Sequence, residues 1–204
     1  HEWWANNITA KDQADMWIHE AFTDYSETLY IESLWGKADA DKYLQGLRDN
    51  IANDKPIIGQ YGVRNEGSGD MYYKGANMIH TIRTVINNDE KFRQILRGLN
   101  KDFYHQTVTT QQIEKYFSDK SGIDLSSIFN QYLRTIKIPT LEYKQTGNQL
   151  TYKWTNVIPG LKLPIRLADG QELTPTEQSQ TTTLKSEKPA EFNKNYYIEV
   201  KQIR

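Results

Sequence analysis

The pattern of apolar residues changes character at Pro139, and that change restricts the chain to a helical portion followed by a β portion. Before it, apolar side chains recur every three or four residues, the spacing that gathers them on one face of a helix. All four histidines and four of the five tryptophans lie there. After it, the segments 140–144, 149–154, 162–167 and 196–203 are rich in Thr, Tyr, Val and Ile. Gly147-Asn148, Pro159-Gly160 and Asp169-Gly170 punctuate them as turns. Helices first and strands second predict a multidomain α+β chain, with residues 1–138 helical and 139–204 a small antiparallel β-sandwich. Thr181-Thr182-Thr183 reads as a further strand.

Six helices are expected in the first portion. The first covers about 11–34, where Ala14, Trp17, Ile18, Ala21, Phe22, Tyr25 and Leu29 form one stripe. A second covers about 39–52. A loop containing Pro56, Gly59, Gly62 and Gly67-Ser68-Gly69 precedes a third, which carries Met71, Gly75, Met78, Ile82 and Val85. Shorter helices follow at about 90–99, 110–117 and 125–133. Thr109 and Gln112 have capping-box spacing, and Asp124 is placed to cap the last helix.

Composition excludes several classes. The 25 basic and 26 acidic residues nearly cancel, so no basic nucleic-acid surface is indicated. No apolar run approaches the roughly 20 residues that span a bilayer, so membrane insertion is not expected, and no leader-like segment opens the chain. Cysteine is absent, which excludes disulfides, thiolate ligands and a Cys nucleophile. The chain begins with His, so its start is read as a processing site or a boundary within a longer polypeptide.

The residues with chemical potential are concentrated near that start. His1-Glu2 is not the opening of H-E-x-x-H, because position 5 is Ala. Read instead as the second histidine of such a motif, His1 is separated from Glu20 by eighteen residues. In that register His1, Trp3, Trp4, Asn6 and Thr9, then Asp15, Trp17, Glu20, Phe22, Tyr25 and Glu27, resemble the aminopeptidase N-like family of gluzincin metallopeptidases. The family pattern is H-x-W-F-G-N-x-V-T followed by N-D-x-W-L-N-E-G-F-A-x-Y-x-E. Departures fall at Ala5 and Ala21, where Gly is usual, at Asp12-Gln13, and at His19, which replaces Asn and bears on pocket polarity. Independently, Tyr72-Tyr73-Lys74-Gly75-Ala76 resembles the family's Y-x-K-G-A signature. The order of later segments, through Ile138-Pro139-Thr140, extends the likeness over nearly the whole chain.

The resemblance implies the α-helical C-terminal half of a thermolysin-like catalytic domain, and roles follow residue by residue. His1 and Glu20 are implied as two ligands of one catalytic zinc, part of a two-His, one-Glu set. Glu27 and Asp24, at +7 and +4 from Glu20, can share its helix face and orient a metal-bound histidine from behind. Tyr72 is implied as the catalytic donor to the tetrahedral oxyanion. Tyr73 should diverge from it, Lys74 should serve local structure, and Gly75 should permit close helix packing. His80 and His105 are read as structural, and Trp3-Trp4 as core.

The family's first zinc histidine, its general-base glutamate and its Gly-x-Met-Glu-Asn-type amine-binding segment occur nowhere in these residues. The expectation is a fragment of a zinc aminopeptidase acting on peptide N-termini, with the missing N-terminal part of the same polypeptide as its partner. Alone, it should hold zinc weakly or not at all and be inactive. Two alternatives remain open: a non-catalytic scaffold or protein-binding module, and an epoxide-hydrolysing relative with a deeper pocket. The β portion is read as packing against the helices.

Overall fold

The computed structural model describes residues 2–204. The helical portion comprises α1 (Glu2–Asn7), α2 (Trp17–Trp35), α3 (Lys37–Gly46), α4 (Tyr73–Ile86), α5 (Asp89–Asp102), α6 (Thr110–Ser121) and α7 (Ser126–Arg134). Two three-residue strands, β1 (Ile8–Ala10) and β2 (Gln106–Val108), pair in parallel and tie the chain start to the α5–α6 connection.

The expected helix over 11–34 is broken at its start. Asp12 accepts the amide of Ala14 and caps a 3-10 turn at Gln13–Asp15, and α2 begins only at Trp17. An Asx-type bond of this kind offers the backbone an alternative to continuing a helix. Met71 likewise falls in a 3-10 turn, Gly69–Met71, just before α4. Thr109 and Gln112 form the anticipated capping box on α6. Asp124 accepts the Ser126 amide at 3.1 Å, although the cap position itself is Leu125.

The helix stripes meet in one core. Trp17, Ile18, Ala21, Phe22 and Tyr25 of α2 are buried, as is nearly every residue of α4. Aromatic rings tile the centre: Trp4 stacks on Phe22 at 4.8 Å, and Phe22, Phe117, Phe129 and Trp17 continue the contact. Each such side chain contributes about 1.5–3 kcal/mol by leaving water. Trp4 is core as expected; Trp3 is not, being 71% exposed with its indole N–H donated to Asn100 at the surface.

The β portion departs from the expected purely antiparallel sandwich. Strands β3 (Thr140–Thr146), β4 (Gln149–Thr155), β7 (Gln180–Thr183) and β8 (Glu199–Gln202) form one sheet in the order β7-β4-β3-β8. Gly147-Asn148 makes the β3–β4 hairpin, and β4–β7 is antiparallel, but β8 runs parallel to β3. The physical reason is the return path. After β7 the chain crosses to the helices, where Tyr197 donates its amide to Thr81 and Asn195 bridges Asp41 and Gln45, before re-entering beside β3. The remaining pair, β5 (Ile165–Arg166) and β6 (Glu172–Leu173), is a two-residue ribbon. Its Arg166 reaches the carbonyl of Thr84 on α4.

Candidate active site

Two neighbouring helices bring the sequence-predicted residues together. Glu20, Asp24 and Glu27 lie along α2, while Tyr72 sits in the turn that launches α4. The two helices approach closely because Gly75 faces Ala21: a Cβ added at Gly75 would stand 2.6 Å from the Ala21 Cβ. Only a residue without a side chain fits at that separation.

Tyr72 is half-buried and lies within reach of the Glu20 charge. Burial raises its pKa, and the charges of Glu20, Glu66 and Asp24 raise it further. A phenol so placed keeps its proton at neutral pH and can donate it as a hydrogen bond. Tyr73, one residue on, uses its carbonyl to accept the side-chain amide of Asn77.

Behind Glu20 the face is crowded with carboxylates. Asp24 is buried, and its pKa is pushed up to about 7 by burial first and then by the charges of Glu27 and Glu20. Its buried Oδ2 has no hydrogen-bond partner among the described residues. Glu27 is exposed and accepts the Tyr43 hydroxyl at 2.6 Å, which fixes its orientation.

A divalent cation fits this face in charge and in donor chemistry: oxygen donors are present, and the repulsion that raises Asp24 is what a cation relieves. The ligand set is incomplete, however, since no three His, Asp or Glu side chains converge to hold an ion among the described residues. His1, the other implied ligand, lies outside the described residues.

The partners of the neighbouring polar residues show what each of them holds in place. The Nε2 of His19 accepts the amide of Ala10 at 2.7 Å, and burial holds its pKa down. This bond fastens α2 to β1. Lys74 is fully buried and donates to the Thr135 carbonyl just past α7, with burial lowering its pKa to about 8 against the pull of Asp70 and Asp54. Asp70 accepts the amides of Ala52 and Asn53 and anchors the loop before the site. His80 is structural: its Nδ1 meets the Tyr25 hydroxyl at 3.0 Å and its Nε2 lies 3.4 Å from Asp41. His105 occupies a left-handed turn, φ 53°, with its ring stacked on Tyr104.

With this geometry in view, comparisons with known proteins are specific. The family profile described as Peptidase family M1 domain matches residues 1–132. Aminopeptidase M1-B of Oryza sativa is 22% identical over 162 residues, covering 74% of this chain and 18% of the relative. Puromycin-sensitive aminopeptidase of Caenorhabditis elegans is 23% identical over 161 residues, covering 72% and 17%. Aminopeptidase A of Gloydius brevicauda is 20% identical over 232 residues, covering 98% and 24%. The chain thus spans a quarter or less of the length of these relatives.

Solved structures share the fold. Legionella pneumophila aminopeptidase A in complex with aspartic acid superposes with a TM-score of 0.60 at 17% identity, covering 99% of this chain and 26% of that one. An M1 zinc metallopeptidase mutant from Deinococcus radiodurans bound to a Tyr-Ser-Ala substrate gives 0.58 at 22% identity, covering 68% and 32%. A profile that matches well over half of the residues, with the Tyr72 turn set against the Glu20 helix, establishes that this chain belongs to peptidase family M1.

Proposed function

We propose that the chain is the C-terminal part of the catalytic domain of a zinc aminopeptidase, residues 1–138, followed by a β domain, residues 139–204. The observation that carries this reading is the close approach of α4 to α2 at Gly75 and Ala21, which sets Tyr72 within reach of the Glu20 charge and joins the two sequence motifs at one place. His1 and Glu20 would hold the zinc in the complete enzyme. When bound, that ion supplies Lewis-acid polarisation and lowers the pKa of water.

The chain's own residues then have distinct tasks. Glu20 presents a carboxylate at the α2–α4 contact. Tyr72 keeps its proton and aims a hydrogen bond at the oxygen that gains negative charge as a peptide carbonyl becomes tetrahedral. Glu27, held by Tyr43, and buried Asp24 orient the ligand residues from behind. The β domain braces the helices through the Asn195 and Tyr197 contacts described above.

The 204 residues contain no H-E-x-x-H, so neither a first zinc histidine nor its base is supplied from within them. The reading therefore includes a partner, the remainder of the same polypeptide, and an isolated chain that binds zinc weakly and does not turn over peptide. The experiment is zinc-dependent release from an aminoacyl anilide, compared between this chain and one extended upstream. Activity in the extended chain that Glu20→Gln abolishes together with zinc content supports it. Stoichiometric folding of the extended chain without zinc or activity favours a scaffold derived from the family.

A further inference from the structure

The turn before α2 contains a buried carboxylate that the catalytic reading does not use. Asp15 is 1% exposed, and its Oδ1 accepts three hydrogen bonds: from the Thr110 amide at 3.1 Å, the Thr110 hydroxyl at 2.6 Å and the Tyr61 hydroxyl at 2.9 Å. The Thr110 hydroxyl in turn accepts the indole N–H of Trp17 at 2.7 Å. One carboxylate oxygen thus joins the start of α2, the start of α6 and the loop preceding the Tyr72 turn. Its Oδ2 is buried with no hydrogen-bond partner among the described residues, which leaves that oxygen desolvated at a cost.

The loop it holds is tightly closed. A Cβ at Gly67, φ 88°, would meet the Ile57 carbonyl oxygen at 1.9 Å, and one at Gly59 would meet the Asn65 carbonyl oxygen at 2.5 Å. The Ser68 amide donates to the Pro56 carbonyl, which brings the ends together. Such a loop is packed on itself. It is tied to the α2 turn twice, by Tyr61 on Asp15 and by the Gly62 amide on Asp12 at 2.9 Å. At its other end Ser68 caps the 3-10 turn that leads to Tyr72.

We propose that Tyr61 and Asp15 are positioning residues that fix Tyr72 relative to Glu20, with the closed loop 57–67 as the connecting strut. This rests on Tyr72 being the transition-state donor. The competing source of position is the Gly75–Ala21 helix contact, which bypasses the loop. Tyr61 is 43% exposed, so Tyr61→Phe removes one hydroxyl without opening a core cavity. Asp15→Asn is the second variant, since it keeps an acceptor and removes the charge.

Two measurements decide. On the 204-residue chain, hydrogen exchange in Tyr61→Phe should speed up across 59–67 and at the Tyr72 and Tyr73 amides, while exchange within α5 stays constant. Unchanged exchange at Tyr72 and Tyr73 overturns the strut. In the complete enzyme Tyr61→Phe should lower kcat about ten- to a hundredfold with KM within about twofold, and Asp15→Asn should fall between it and wild type. In a Tyr72→Phe background, Tyr61→Phe should cost almost nothing more, because it acts through the missing hydroxyl. Full multiplication of the two losses, or an unchanged kcat for Tyr61→Phe alone, overturns the positioning role and leaves Tyr72 as donor. If Tyr72→Phe itself retains full kcat, the donor reading and the positioning role both fall.

Discussion

Glu20 and Tyr72 come into electrostatic contact, the Glu20 charge raising the Tyr72 pKa, although 52 positions separate them in the chain. That contact depends on how closely α4 lies on α2. Its closeness is set where Gly75 meets Ala21.

The Gly75–Ala21 approach predicts a steric penalty. Gly75→Ala places a methyl group 2.6 Å from the Ala21 Cβ, well inside van der Waals contact. Ala21 and Gly75 are both buried, so the strain falls on packed surroundings, and the cost should be about 1–3 kcal/mol in chemical denaturation. An equal or more stable Gly75→Ala chain would show that the helices are free to separate.

Tyr72→Phe in the complete enzyme should lower kcat about a hundred- to a thousandfold while KM changes little, as expected for a donor that acts on developing charge. Steady-state kinetics on a peptide substrate checks this. Equal damage to kcat and KM would identify Tyr72 as a binding contact.

A third prediction concerns acid. Arg83, 2% exposed at its side chain, is held by Glu32 at 2.6 Å and Asp89 at 2.8 Å. Hydrogen bonds from Arg83 lead the causes that keep both carboxyls below their usual range. A depressed carboxyl contributes stability that is fully present above its unfolded pKa, about 4, and is lost as pH falls through the lower folded value. Urea denaturation from pH 6 down to pH 2 should show this loss, and Glu32→Gln should flatten it. Arg83→Met should also lower stability at neutral pH, because Glu32 and Asp89 lose the buried guanidinium they share and keep Arg93 and Lys37 as cationic neighbours.

Lys74 gives the opposite window. Its folded pKa of about 8 lies below the model-compound value of 10.5, because burial penalises the charged form most. Its charge therefore destabilises the fold below pH 8, and that penalty fades as pH rises from 8 toward 10. Relative to Lys74→Met, wild-type stability should climb across that interval. A constant difference between the two would place the ammonium in a well-solvated site.

Much of this was legible in the sequence, and the exceptions share a cause. Spacing places α5 through α7 to within a few residues, because their apolar stripes are periodic, whereas the expected second helix, 39–52, runs past the end of α3 at Gly46. The break between Asp12 and Trp17 was missed because it depends on a side chain bonding to nearby backbone rather than on periodicity. The β3–β8 pairing was missed because it reflects where residues 193–197 dock on the helices, a contact without a local signal. Glu20 and Tyr72 could be named from motifs. Asp15, matched as part of the same motif, gained no role until its partners Thr110 and Tyr61 were seen in space. Trp3 shows the converse, since aromatic character alone does not place a residue in the core.

The most direct test of the central claim, that Glu20 and Tyr72 belong to a zinc aminopeptidase site completed by upstream sequence, is a paired assay of metal content and aminoacyl-anilide hydrolysis. The account predicts little zinc and no turnover for the 204-residue chain, with one zinc and turnover in the extended chain, both abolished by Glu20→Gln. Zinc-dependent turnover by the 204-residue chain alone, or an extended chain whose zinc and activity survive Glu20→Gln, would contradict it.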